Sequence, residues 1–247
     1  MNYTGYYFNK LSCIKLTALK NYIDDFLHLF FPHVCVGCDN DIVNTEDELC
    51  AACLNSLPET GFLSAKNNPV EKIFYGRLKI ENAGSAFYFN KDSVIQNLII
   101  QLKYRNNKNA GVFLGKLLGQ RIVNGNRFNN VDVIVALPLN DKKLYKRGYN
   151  QSLAIVEGIT SVWDKPVFEN AVERNLFTET QTQKDRVARW KTMEGVFEVN
   201  DIALLENKHV LLVDDVVTTG ATLEACGSAI VKVPGVKLSV ATVAYTI

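Results

Sequence analysis

Residues 210–222 read VLLVDDVVTTGAT, and they bring together two kinds of chemistry. Thr218, Thr219 and Thr222 offer hydroxyls, and Gly220 lets backbone amides close on an anion, so this turn suits a phosphate. Asp214 and Asp215 would repel that anion. They make sense facing sugar hydroxyls or a hard cation such as Mg²⁺. The combination points to a phosphorylated sugar with vicinal hydroxyls. Each half alone is ordinary, since Asp-Asp can cap a helix and Thr-Thr-Gly can be a plain turn. Their order after an apolar run is what favours the site.

A second constellation is Cys35-Val-Gly-Cys38 followed by Cys50-Ala-Ala-Cys53. Two such knuckles aim four thiolates at one ion, which is the pattern of a tetrahedral zinc site. Two structural disulfides suit a cytoplasmic chain poorly, and thioredoxin-type redox chemistry needs one motif rather than a matched pair. Whether the zinc would be structural or would build a docking surface stays open. Cys13 and Cys226 are single, and Cys226 falls on an apolar helical stripe, which reads as core. His28 and His33 read as surface or capping residues.

A third stretch, LNDKKLYKRGYNQS at 139–152, reads as a basic loop opening a helix from Gln151, with Asn150 as its cap. Arg147 supplies a planar fork and Gly148 a close backbone approach, which suits a pyrophosphate. Lys142, Lys143 and Lys146 read equally well as a solvated surface. Residues 175–194 are polar and without an apolar period, which suggests either an exposed helix–loop or a lid bringing Arg186 or Arg189 to a leaving pyrophosphate.

Stepping outward, Val210–Val213 is a continuous apolar run, predicted as a central strand of a parallel sheet. Leu223, Cys226, Ile230 and Val233 then form one helical stripe. A strand is expected over 84–90, and Asp92-Ser93 offers a cap for a helix carrying Ile95, Leu98, Ile99 and Leu102. A second helix carries Val112, Leu114, Leu117, Leu118 and Ile122, and a strand over 131–137 ends at Pro138. The last strand is expected over 238–245. In such sheets ligands bind at the carboxyl ends of strands, where the acids and the basic loop both fall.

The chain has 247 residues, 47% of them apolar, and 27 basic against 26 acidic residues for a net charge of +1. That supplies a core and excludes global disorder, and it leaves no overall electrostatic footprint for nucleic acid. No apolar run reaches the length of a membrane span and the start lacks a secretory pattern, so a cytoplasmic location is expected. The expected organisation is an amphipathic helix within 1–31, a zinc module over 32–60, a linker over 61–81 and an α/β domain over 82–247. The fold class is α/β, a doubly wound, mostly parallel sheet behind a small zinc-binding module.

VLLVDDVVTTGAT resembles the phosphoribosyl pyrophosphate (PRPP) signature of type I phosphoribosyltransferases. LPLNDKKLYKRGYNQS, the cysteine quartet and Leu102-Lys103-Tyr104 are similar to stretches of the ComF family, phosphoribosyltransferase-like bacterial proteins associated with DNA uptake in competence. The segment from Arg174 through Gln181-Thr182 and Arg189 to Phe197 resembles that family's mobile loop, with Lys184 and Thr192 departing from it. The resemblance implies that Asp214 and Asp215 bind the ribose hydroxyls, in some members through Mg²⁺, and that Thr218, Thr219, Gly220 and Thr222 hold the 5′-phosphate. Val216, Val217, Ala221, Arg147, Gly148 and Lys103 complete the implied PRPP site, and Arg189 joins the two acids as catalytic. The activity implied is phosphoribosyl transfer with release of pyrophosphate. Two other readings stand beside it: a PRPP-sensing regulator without turnover, and an adaptor for single-stranded DNA or a DNA-uptake helicase partner.

Overall fold

Small, apolar and β-branched residues fill both faces of a buried sheet, and this settles where the strands lie. The structure, a computed structural model, describes residues 30, 33–42, 47–175 and 195–246. The helix expected over 14–31 falls outside them apart from Phe30, as do 176–194. Described residues up to Leu54 belong to one compact unit and those from Asn55 to a second.

Around the first unit's end lies helix α1 (Ala51–Asn55). The second unit opens with α2 (Pro69–Phe74), β1 (Asn82–Phe89), α3 (Val94–Tyr104) and α4 (Lys108–Gly125). It continues with β2 (Val133–Ala136), α5 (Asp141–Arg147), α6 (Gln151–Thr160), β3 (Val172–Arg174) and β4 (Phe197–Val199). Last come α7 (Ile202–Leu205), β5 (His209–Val217), α8 (Ala221–Ile230) and β6 (Lys237–Thr246).

The main sheet has strand order β1-β6-β5-β2 with every pairing parallel, and β3 and β4 form a separate antiparallel ribbon. Val210 and Leu212 of β5 share a core with Val133 and Val135 of β2 and with Leu223, Cys226 and Ile230 of α8. α6, with buried Ala154, Ile155 and Ile159, packs on β2 and β5 outside that core, and α4 packs on α6. Helices therefore cover both faces, and the doubly wound expectation holds. α4 and α6 meet backbone to backbone: a Cβ at Gly115 would lie 2.0 Å from the Ile155 carbonyl oxygen, and one at Gly158 2.0 Å from that of Val112. Only glycine allows this approach.

Three expectations need correction. β5 does not stop at Val213, because β6 offers ladder partners further on: Asp214 pairs with Thr242, Val216 with Ala244 and Val217 with Tyr245. The acids therefore sit on a strand rather than in a loop. Residues 141–147 form helix α5, capped by Asn140 at its start and closed by Gly148 at φ 76°, where a basic loop was expected.

The segment 61–81 is not a linker. Phe62, Val70, Phe74 and Leu78 are buried in the same core as β5. Two of its polar residues, Asn68 and Glu71, are buried internal partners. The Asn68 side chain accepts from the Val70 and Glu71 amides and donates to the carbonyls of Phe62 (3.1 Å), Ala65 (2.9 Å) and Ala83 (2.8 Å). Glu71 pairs with Arg127, which also bonds the Asn82 side chain at 2.9 Å. The unit thus begins at Asn55, and the boundary placed at residue 60 moves accordingly.

Candidate functional site

β2 and β5 are neighbours in the sheet, but the helices that follow them, α6 and α8, lie on opposite faces. That is a topological switch point, where the sheet leaves a crevice at its carboxyl edge. β5 delivers Asp214 and Asp215 to this edge, and β2 leads through Leu137 to α5 and Arg147.

Asp215 is buried and its Oδ1 accepts from Lys103 Nζ at 2.8 Å, at the end of α3. A paired charge tolerates burial where a lone one would not. Asp214 is half-buried and its Oδ1 accepts from Ser152 Oγ at 2.9 Å. Burial first, and then the charge of Asp215, push the Asp214 carboxyl up to about 7, against the opposing pull of the Asp215 amide, Ser152 and Lys103. Two acids this close resist ionising together, and a cation or a hydroxyl donor relieves them.

The turn beyond is short. Val217 is buried, Val216 and Ala221 are half-buried, and the Thr218, Thr219 and Thr222 side chains are exposed. Gly220 is the N-cap residue of α8 at φ 73°, with no side chain capping the helix. The Ala221 amide makes one long bond, to Thr219 Oγ1 at 3.5 Å, and the next amides of α8 keep their donor capacity, which is what an anion needs. A Cβ on Gly220 would lie 2.5 Å from Ile73 Cγ2 and 3.3 Å from Phe74 Cε1, so α2 closes on the turn. Arg77 donates from Nη1 to the Thr219 carbonyl at 3.1 Å and pairs with Glu224. Gly220→Ala should therefore destabilise the fold by about 1–3 kcal/mol through the left-handed backbone and the clash. Urea unfolding monitored by circular dichroism would register it as a lowered midpoint; an unchanged midpoint would mean that the turn is not held as described.

Arg147 donates from Nη1 to Gln151 Oε1 at 2.7 Å and lies over the Tyr104 ring, 5.6 Å from its centre. Tyr149 donates its hydroxyl to the Leu102 carbonyl at 2.6 Å, tying the start of α6 to the end of α3. Of the residues expected in the PRPP site, Asp214, Asp215, Val216 and Val217 fall on strand β5, Thr218, Thr219 and Gly220 on the turn after it, Ala221 and Thr222 on the first turn of α8, and Lys103, Arg147 and Gly148 at the α3 and α5 ends. Arg189 lies outside the described residues. Ser152 and Arg77 were not anticipated. Ser152 lies within the basic stretch and could have been noticed, whereas nothing local in the sequence ties Arg77 to a turn so distant along the chain.

In the first unit, the sulfurs of Cys35, Cys38, Cys50 and Cys53 lie within 4.8 Å of one another, and those of Cys38 and Cys50 are 3.7 Å apart. Tetrahedral Zn–S bonds of about 2.3 Å place sulfurs roughly 3.8 Å apart, so the cluster fits zinc. Cys35 Sγ accepts from the amides of Cys50 at 3.3 Å and Gly37 at 3.4 Å. Burial works to raise that thiol, but the amide donors outweigh it and bring Cys35 down to about 6. Burial and the neighbouring sulfurs push Cys53 up to about 12. Cys35 forms its thiolate readily, whereas Cys53 does so only with help from a cation, which is the demand that a divalent metal meets.

The family model of the phosphoribosyl transferase domain matches residues 156–246. The chain is 25% identical over 206 residues to Competence protein F of Haemophilus influenzae, covering 78% of this chain and 89% of that protein. It is 29% identical over 133 residues to the DNA utilization protein YhgH of Escherichia coli, covering 51% of this chain and 56% of that relative. Among solved structures, the glutamine phosphoribosylpyrophosphate amidotransferase from B. subtilis, complexed with ADP and GMP, is similar at 17% identity with a TM-score of 0.40. That likeness covers 57% of this chain and 30% of the other. Among the described residues no helix is long and apolar enough to cross a membrane.

Proposed function

We propose that this chain, which belongs to the ComF family, binds PRPP with Mg²⁺ in the crevice between β2 and β5 and transfers its phosphoribosyl group with release of pyrophosphate. One observation supports this reading: two acids near the carboxyl end of one strand of the switch point lead into a glycine turn whose N-cap has no side-chain bond, and Arg147-Gly148 follow the neighbouring strand. Asp214 and Asp215 receive the ribose hydroxyls, directly or through hydrated Mg²⁺. Their contacts with Ser152 and Lys103 both use Oδ1. Thr218–Thr222 hold the 5′-phosphate on the first amides of α8, and Arg147 holds the pyrophosphate. Arg189 is proposed to join it there.

In the transfer, the bond from the ribose anomeric carbon to pyrophosphate breaks, its electrons leave with the pyrophosphate, and an acceptor nucleophile forms the new bond. Positive charge builds on the sugar meanwhile, and the acids are placed to stabilise it. The four cysteines hold one Zn²⁺ as the framework of the first unit. Calorimetric titration with PRPP and Mg²⁺, followed by an acceptor screen for pyrophosphate release, tests the reading. Binding without release under any acceptor would leave the sensing role.

A second reading draws on α5. None of its residues is buried, Tyr145 is 95% exposed, and Lys142, Lys143 and Lys146 line it. Basic residues interleaved with an aromatic ring suit single-stranded nucleic acid, and one matched relative is named a DNA utilization protein. If DNA binds there, affinity for an oligothymidylate should fall by roughly a hundredfold or more between low and physiological salt, and Tyr145→Ala should cost about 1–3 kcal/mol. Fluorescence anisotropy measures both; binding that ignores salt and Tyr145 would remove α5 from the reading.

A further inference from the structure

The first turn of α6 touches both halves of the proposed site without belonging to either. Ser152 is 5% exposed, and its hydroxyl donates to Asp214 Oδ1 at 2.9 Å. Its amide is taken by Asn150 Oδ1 at 3.0 Å, while the Asn150 side chain donates to the Leu137 carbonyl at 3.1 Å, just past β2. Gln151 is 1% exposed. Its Oε1 accepts from Arg147 at 2.7 Å and its Nε2 donates to the Tyr149 carbonyl at 3.1 Å, so both ends of the amide are engaged and its orientation is fixed. α6 cannot slide to absorb a change, because Gly158 seats it against the α4 backbone.

We propose that this turn is the positioning element of the site: Ser152 sets Asp214 toward the sugar, and Gln151 sets Arg147 toward the pyrophosphate. The proposal rests on the PRPP reading above. Neither side chain need touch the ligand. Each removes a rotamer search from a charged group that does, so that binding does not have to order it. Asp214 and Arg147 act on opposite ends of PRPP, and one helical turn holds both. Two adjacent residues thus divide between two subsites.

This division makes the test selective. Mg²⁺–ribose 5-phosphate and Mg²⁺–pyrophosphate each probe one end, titrated calorimetrically into the full chain. Ser152→Ala should weaken ribose 5-phosphate about tenfold and leave pyrophosphate within about twofold. Gln151→Met should do the reverse, with the probe that still binds reporting that each variant is folded. A merely structural role would weaken both probes alike or neither. If the wild type binds both probes and the variants lose them in parallel or not at all, the positioning role is overturned and the PRPP reading stands. If the wild type binds neither probe nor PRPP, the PRPP reading fails and this inference falls with it.

Discussion

Asp214→Asn combined with Asp215→Asn should reduce PRPP affinity by about a hundredfold or more, since two charge-assisted contacts of roughly 1.5–3 kcal/mol each are lost. Inorganic phosphate binding at Thr218–Thr222 should survive or strengthen, because repulsion from the acids has gone. Thr218→Val with Thr222→Val should instead weaken PRPP and phosphate together. Calorimetry on both ligands separates these outcomes. Wild-type PRPP affinity in both double variants would end the phosphoribosyl reading.

The single change Asp214→Asn has a second expected effect, on stability. Burial and Asp215 hold the Asp214 carboxyl in the folded protein at about 7, above its usual range. Its favourable contribution is therefore complete below about pH 4 and is lost as pH rises through about 7. The ligand-free wild type should lose stability across that window on account of this group. Asp214→Asn should flatten the loss, and thermal melts at several pH values would reveal it. Identical pH slopes in the two proteins would mean that Asp214 ionises without strain.

The other large effect concerns the cysteine cluster. Purified protein should carry about one zinc per chain, and Cys50→Ser or Cys53→Ser should release it. Apparent metal-binding energies in such sites are about 10–16 kcal/mol, far more than a segment of this size gains from burial. The first unit should consequently lose its protection from hydrogen exchange, while the unit from Asn55 onward, with its own core, keeps it. Mass spectrometry after exchange resolves the two. Absence of zinc in the native protein, with all four thiols freely reactive, would overturn the assignment.

The legible part of this chain is local. Val210–Val213, the Ser93 cap and the Leu98/Leu102 stripe announce their elements because burial pattern and capping act over a few residues. The cysteine quartet was legible for the same reason, since ligand spacing within each knuckle is short. What escaped depends on partners far along the chain. Asn68 and Glu71 look like linker residues until Ala83 and Arg127 satisfy them. The extension of β5 to Val217 is decided by β6, and no property of Asp214 or Asp215 announces it. Of the candidate site, the two acids, the threonine-glycine turn and Arg147 stand out by local pattern, whereas the bonds that Ser152, Gln151 and Arg77 make to them mostly do not.

The strand order β1-β6-β5-β2 has a consequence for how the chain comes to be folded. The outer edge of β1 is covered early, by the backbone bonds from Thr60 to Ala86 and from Tyr88 to Pro58. Its inner edge pairs only with β6, which is made roughly 150 residues later. At ordinary ribosomal speeds of about 5–20 residues per second, that edge waits roughly 7–30 s for its partner. Throughout that interval Ala83, Ala86 and Phe87 belong to an apolar strand with an unpaired ladder, the kind of surface that recruits other chains. Closure of the sheet is a late, long-range event, and the inner edge of β1 stays open to other chains until β6 has left the ribosome.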